Sequence, residues 1–482
     1  MSCSLPTMRD VRGYEEKNPA TMRQLTSGYP RFVVHPYTKQ LAAHLAGTVS
    51  ALGGRTLWLV SSARMAADLA GHLGTDRGAT VFAHGGIHGV SHSESADTFG
   101  RAKTFLQNIG GFLSSRAAED ELVRLGVKSS VDAEPVFAGD ATQEIRRVLR
   151  TVMPAAGDAD ILPANSGMNA IFAAFRASAA LQAARGRTVW LQLGWLYLDT
   201  IAILKKYTAA PVDYVYVRNP GDLECIERIF ARHGSRIAGV LAELPTNPLI
   251  QTPDVPALSA LCRAHGAHLL LDPSVASVWN LNILPLADVV VSSLTKYTAS
   301  EGDVIAGVSI INPAGPDAAE LRRGTAAALE PVYPRDLARL AGQIGRTESV
   351  LAQIHANTAR VAAFLEQHPK VRRVYWALQA DSRANFLKVA RRPDATGGMI
   401  SFTLRTGMEE FYDRLRLPKG PSFGMQTTLI CPFMYLAHYD LVTTPAGIAE
   451  LAASGIDPDL LRLCCGTEPA EAIIEALAEA LG

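Results

Sequence analysis

Between residues 188 and 311 one pattern repeats: short apolar runs rich in Val, Ile and Leu, several of them separated by segments of helical composition. The runs are TVWLQLG (188–194), VDYVYV (212–217), IAGVLAEL (237–244), HLLLDPS (268–274), DVVVSSLTK (288–296) and VIAGVSII (304–311). Continuous apolar runs, as opposed to alternating ones, are the mark of strands buried on both faces. Strands alternating with helices require crossover connections, so the pattern predicts an α/β fold with a mainly parallel sheet covered by helices on both sides.

The remaining segments set the domain organisation. At 482 residues the chain exceeds ordinary single-domain size. Residues 1–50 are punctuated by Pro and Gly and are expected to form an arm that packs on something else. Residues 51–320 are expected to form the large domain, with 51–150 (RTLWLVSS, TVFAH and a long polar-helical stretch) as an insertion whose role the residues do not disclose. Residues 321–482 read as a smaller α/β domain: a helix over 349–368, then strands in VRRVYWAL and GGMISFTLR.

Composition narrows the function. Apolar residues make up 48% and charged residues 19%, and 46 Lys plus Arg balance 46 Asp plus Glu, so no net positive field exists to hold nucleic acid or an anionic membrane. No segment approaches the roughly 20 apolar residues of a membrane span. Six scattered cysteines lack CxxC spacing, which argues against a zinc site or a disulfide framework and for reduced thiols in the cytoplasm. The N-terminus, with charges of both signs and no apolar segment, is not expected to be a signal peptide. His84, His88 and His92 in AHGGIHGVSH would align as metal ligands on a helix, but the interleaved glycines predict a loop, and no metal site is expected.

Three inferred strands end in groups that carry chemistry. Asp272 follows HLLL, Glu243 and Asn247 follow GVLA, and Lys296 follows VVVSSLT. Carboxyl ends of neighbouring parallel strands converge on one crevice. Ser166-Gly167-Met168 begins the helix-like SGMNAIFAAF, where first-turn N–H groups and the helix dipole suit a phosphate and glycine permits close approach. Ser293 and Thr295 add hydroxyl donors to that phosphate. Lysine for a Schiff base, an acid for a pyridinium nitrogen and a helix terminus for a phosphate together fit pyridoxal 5′-phosphate (PLP).

With these residues in view the chain resembles the Cys/Met-metabolism family of fold-type-I PLP enzymes, and within it the fungal-type cystathionine γ-synthases. The likeness runs through SLPTMRDVRGYEE, SGYPRFVVH, NSGMNAIFAAF, ELPTNPLIQTPD, LLLDPSVAS, DVVVSSLTKYTASEGDVIAGV and KGPSFGMQTTLICPFMYLAHYD. It implies Lys296 as Schiff-base lysine and proton shuttle, Asp272 as partner of the ring nitrogen, and Gly167, Met168, Ser293 and Thr295 as holders of the phosphate. Tyr197 would stack on the ring and assist proton movement, and Asn247 would bond the ring hydroxyl. Tyr29 and Arg31 match a pair that reaches the phosphate of a neighbouring subunit, implying a homodimer or homotetramer with shared sites. Arg462, with Ser422 nearby, matches the arginine for the substrate α-carboxylate.

The resemblance further implies γ-replacement: a γ-activated amino acid, of O-acyl-homoserine or S-adenosylmethionine type, loses its leaving group and joins a thiol or carbon nucleophile in specialised metabolism. Cystathionine γ-synthase proper, a γ- or β-lyase releasing an oxo acid and ammonia, and a catalytically dead binding protein are the alternatives. Retention of Lys296, Asp272 and Arg462 speaks against the last. Several residues depart from the family pattern where the substrate pocket is expected: Cys464 and Cys465, Phe423, and the DPSVAS sequence. Trp195 is expected either to line the acceptor pocket or to lie in the core.

Overall fold

The computed structural model describes residues 4–25 and 34–482. Its central sheet has seven strands: β4 (Ile161–Ala164), β5 (Val189–Leu193), β6 (Tyr214–Val217), β7 (Ile237–Glu243), β8 (His268–Asp272), β9 (Val289–Ser293) and β10 (Gly307–Ile311). These follow β1 (Thr56–Val60), β2 (Thr80–His84) and β3 (Ile87–His92), which form a sheet of their own. The central order is β4-β10-β9-β8-β7-β5-β6, parallel throughout except for β10, which runs antiparallel to both β9 and β4. Every residue of β5, β7, β8 and β10 is buried, as continuous apolar runs require. The expected α/β architecture with a mainly parallel, helix-covered sheet is the one observed, and β4, a four-residue strand containing a proline, extends it.

The C-terminal domain carries a second sheet, antiparallel, in the order β11-β12-β14-β13, from β11 (Val371–Trp376), β12 (Met399–Leu404), β13 (Leu429–Pro432) and β14 (Leu461–Cys464). Helix Ala318–Ala328 packs on helix Gly167–Ala184 of the large domain, and Pro334–Ile344 packs on Ala141–Val152. Helix Thr347–Gln367 links the two cores: its first half contributes Leu351 and Ile354 to the core around the central sheet and its second half Val361 and Leu365 to the core around the antiparallel sheet.

The described residues among the first 50 pack in two places. Leu5, Met8, Val11 and Tyr14 are buried in the small-domain core of the same chain, where the Met8 N–H donates to Asp413 (2.7 Å) and the Tyr412 hydroxyl to the Leu5 carbonyl (2.8 Å). Helix Pro36–Thr48 instead joins the unit built on β1–β3, burying Leu41 and Leu45 against Ala118 and Leu122.

That unit corrects the reading of AHGGIHGVSH as a loop. The segment is a β-hairpin, with His84 opposite Ile87 and Gly85-Gly86 at its tip, both with positive φ (57° and 91°). A two-residue turn needs that conformation at both positions, and glycine supplies it without strain. His92 is buried and accepts a hydrogen bond from Trp58 Nε1 (3.1 Å), and no metal-ligand cluster exists among the described residues.

Candidate active site

The carboxyl ends of β7, β8 and β9 place Glu243, Asp272 and Ser293 side by side, and the chain then turns so that Lys296 enters the same cavity. The turn is fixed from behind. Tyr297 has a positive φ of 61°, its N–H donates to Gly424 O (2.7 Å), and its buried hydroxyl donates to Val275 O (2.9 Å) while accepting from Gly398 N (3.0 Å). Lys296 Nζ donates to Ser422 Oγ (2.9 Å) and lies 4.8 Å from the centre of the Phe423 ring. Burial, and secondarily the charge of Arg462, pull this ammonium down to about 7.

Asp272 accepts the Ser274 N–H (2.8 Å), and Ser274 Oγ accepts the Ser293 N–H (2.7 Å). Burial raises Asp272 to about 6 against the lowering effect of the Ser274 bonds. Glu243 is in register with Asp272 on the neighbouring strand and accepts the Tyr197 N–H (2.5 Å), fixing the backbone that starts helix Leu198–Tyr207. Burial first, and then Asp272, push Glu243 well above the usual carboxylate range.

Arg462 comes from β14 of the small domain. Its guanidinium lies between the rings of Phe423 (5.4 Å) and Phe433 (4.6 Å), donates to Asn247 Oδ1 (3.2 Å), and reaches the Pro421 carbonyl. Gly167 and Met168, at the start of helix Gly167–Ala184, close the opposite side. The structure thus brings Lys296, Asp272, Tyr197, Asn247, Gly167, Met168, Ser293, Ser422 and Arg462 to one cavity.

Other expected residues lie elsewhere. Ser166 caps the helix through the Asn169 N–H (3.1 Å) and borders an adjoining cavity. The Thr295 hydroxyl is directed at Ala306, accepting its N–H (3.0 Å) and approaching its carbonyl (3.3 Å), because β9 ends at Ser293 and the turn rotates the next hydroxyl away. Tyr29 and Arg31 fall outside the described residues. Cys464 does not line the cavity; its Sγ accepts the Gly424 N–H (3.2 Å) behind the lysine turn. Trp195 belongs to the core and donates to His438 (3.2 Å). Sequence reasoning missed Ser274 as the link between Asp272 and Ser293, and it missed the apolar wall of Cys431, Phe433, Leu436 and Ala437, although these lie in the CPFMYLAHYD stretch that carried the resemblance.

An amine lowered to about 7, a buried acid in the same cavity, a helix N-terminus and a guanidinium fork form a donor set for a ligand that is at once an aldehyde, a basic heterocycle and an anion. The residues present fit PLP.

Comparison with known proteins agrees. The model of the Cys/Met metabolism PLP-dependent enzyme family matches residues 144–482. An L-2-amino-4-chloropent-4-enoate dechlorinase/desaturase of Streptantibioticus cattleyicolor is 40% identical over 482 residues, 100% of this chain and 95% of that protein. A cystathionine gamma-synthase of Neurospora crassa is 31% identical over 65% of this chain, which spans only 50% of that protein. Among solved structures, methionine gamma lyase of Micromonospora echinospora superposes with a TM-score of 0.58 (23% identity, 72% of this chain, 87% of the other), and cystathionine gamma synthase of Xanthomonas oryzae pv. oryzae with 0.57 (23%, 71%, 86%). Fold-type-I architecture, PLP as cofactor and the matched residues together make this chain a member of the Cys/Met metabolism PLP-dependent enzyme family.

Proposed function

We propose that the protein catalyses γ-elimination on a small L-amino acid whose side chain carries an uncharged leaving group at Cγ, a halide above all. The carrying observation is the charge of the cavity: among the described residues its only cationic side chains are Lys296 and Arg462. Arg462 takes the substrate α-carboxylate. Among the described residues lining this cavity no further cation is left for the carboxylate of a succinyl ester or of an amino-acid thiol acceptor, and the walls beyond are Phe423, Phe433, Leu436, Ala437 and Cys431. The similarity to a dechlorinase/desaturase over nearly its full length supports this reading. It revises the expectation of γ-replacement, which needs room and recognition for a second substrate.

In this reading Gly167 and Met168 N–H groups with Ser293 would hold the cofactor phosphate, Asp272 would serve its ring nitrogen, Asn247 its ring hydroxyl, and Tyr197 its ring face. Lys296 would be the amine that holds the cofactor aldehyde. Thr295 and Ser166 support the turn and the helix cap without touching the phosphate. Bound PLP supplies a sink for the electron pair left at Cα. Lys296 would take the Cα proton, helped by burial that lowers its proton affinity to about 7 so that a substantial share of it is neutral near neutrality. Lys296 and Tyr197 then move the Cβ proton. The Cγ–X bond breaks with its electrons leaving on X as halide, one proton is released, and the carbon chain gains one degree of unsaturation, so no oxidant is consumed. Ser422, bonded to Lys296 in the resting arrangement, steers the amine back after each transfer. Self-association is part of this proposal through the roles implied for Tyr29 and Arg31. The unpaired described cysteines fit a cytoplasmic location, and no described helix is long and apolar enough to cross a membrane.

The test incubates holoenzyme with L-2-amino-4-chloropent-4-enoate, and in parallel with O-succinylhomoserine plus cysteine. Chloride release with a product lighter by HCl is expected from the first and no coupled thioether from the second. A thioether formed faster than chloride is released would establish γ-replacement instead.

A further inference from the structure

The unit built on β1–β3 precedes the residues that the family model matches. It nevertheless reaches the scaffold of the site through one short stretch. Helix Ala96–Ile109 ends at Gly110, which is left-handed (φ 72°). The Ile109 carbonyl accepts from Asn169 Nδ2 (3.1 Å) and the Gly110 carbonyl from Asn165 Nδ2 (2.8 Å). These two asparagines flank Ser166, the cap of helix Gly167–Ala184. Terminal carbonyls that a helix leaves unpaired are thus satisfied by the groups that frame the start of another.

One residue earlier, Asn108 Nδ2 donates to Asp199 Oδ1 (3.1 Å), and both side chains are buried. Asp199 sits in the first turn of the helix that begins directly after Tyr197. Three consecutive residues therefore hold two helix starts: the one bearing Gly167 and Met168, and the one following Tyr197. The contact has no slack, since a Cβ on Gly110 would stand 2.1 Å from Ser166 Oγ and 2.9 Å from the Asn169 N atom. A second tie closes the circuit: Asn169 Oδ1 accepts the Glu330 N–H (2.8 Å), and the buried Glu330 carboxylate accepts from Ser61 (2.6 Å) and Arg64 Nε (3.1 Å) of the same N-terminal unit.

We propose that Asn108, Ile109 and Gly110 are positioning residues by which the N-terminal unit sets the phosphate-binding helix start and Tyr197 relative to each other. The inference rests on the reading above that Gly167, Met168 and Ser293 take the cofactor phosphate. Displacing a donor from a charged acceptor weakens binding by roughly tenfold or more.

The experiment uses the full-length chain stripped of cofactor. PLP affinity is measured by fluorescence titration, together with visible circular dichroism of the bound cofactor and the melting temperature of the cofactor-free protein, for Gly110→Ala, Asn108→Ala and Ser293→Asp. The clamp predicts about tenfold weaker PLP binding and a changed visible dichroism for Gly110→Ala and for Asn108→Ala, with the Asn108→Ala cofactor-free protein melting close to the parent. If melting falls while PLP affinity stays unchanged, or neither moves, the clamp is wrong. Should Gly110→Ala fail to fold, Asn108→Ala decides alone. Ser293→Asp sets a carboxylate where the phosphate is assigned: weaker binding there alongside unaltered clamp variants refutes the clamp and keeps the phosphate reading, whereas unaltered binding in Ser293→Asp overturns both.

Discussion

Replacing Lys296 by methionine abolishes catalysis, but its sharper consequence is for the stability of the cofactor-free protein. The side chain is buried, and burial lowers its proton affinity from the ordinary 10.5 to about 7. At about 1.4 kcal/mol for each tenfold change in proton affinity, the folded protein carries a penalty of about 5 kcal/mol wherever Lys296 is protonated in the native state. Below pH 7 both folded and unfolded chains hold the proton and the penalty is complete. Between pH 7 and 10.5 the folded protein has lost the proton that the unfolded chain keeps, so its stability rises with pH and the penalty shrinks. Above 10.5 nothing remains of it. Methionine has similar length and no charge, so Lys296→Met stabilises the cofactor-free protein by about 4–5 kcal/mol at pH 6, by about 3 at pH 8 and by less than about 1 at pH 10. Paired urea unfolding curves at the three values measure the difference. An advantage that does not change with pH, or none at pH 6, would show that burial does not lower the proton affinity of this lysine.

The same lowered proton affinity governs cofactor uptake, because only the neutral amine condenses with an aldehyde. The rate of PLP capture, followed by visible absorbance, rises about tenfold between pH 6 and 8 and then levels off; a rate still climbing at pH 10 would refute the assignment. Arg462→Lys removes both the planar fork and the stack between Phe423 and Phe433, so KM for the amino acid rises at least about tenfold while kcat falls less, as initial rates will show. Leu436→Arg puts a cation into the apolar wall and is expected to open activity on O-succinylhomoserine while lowering chloride release; unchanged selectivity would mean that the wall does not choose the substrate.

Much of this site can be read from the chain because strand ends are local events. The apolar runs end at Val291 and Leu271, Lys296 follows the first after a short polar stretch, and Asp272 is the residue that ends the second. Thr295 shows the limit of that logic. Beyond Ser293 the strand is over, and the positive φ of Tyr297 two residues on belongs to a turn that commits the threonine hydroxyl to Ala306. Strands β4, β13 and β14 have only four residues each, two of them with prolines, too short for a periodic signal. The apolar wall comes from one short segment, residues 431–437, whose distance in sequence from Lys296 hides that it faces the lysine, and Arg462 reaches the same cavity from a different sheet. The hairpin in AHGGIHGVSH did carry a signal, two glycines between short β-prone runs, but its polar histidines masked the alternation.

Ser274 gives the site a fixed gauge. Its N–H is spent on the Asp272 carboxylate and its hydroxyl on the Ser293 N–H, so a single residue spans the gap between the acid and the strand terminus beside the helix start. That interval cannot stretch or contract without breaking one of two hydrogen bonds. On the proposed roles of Asp272 and the helix start, a ligand with a basic ring at one end and an anion at the other would be measured for length before any chemistry begins, and analogues with a longer or shorter tether to the anion would forfeit one of their two anchors.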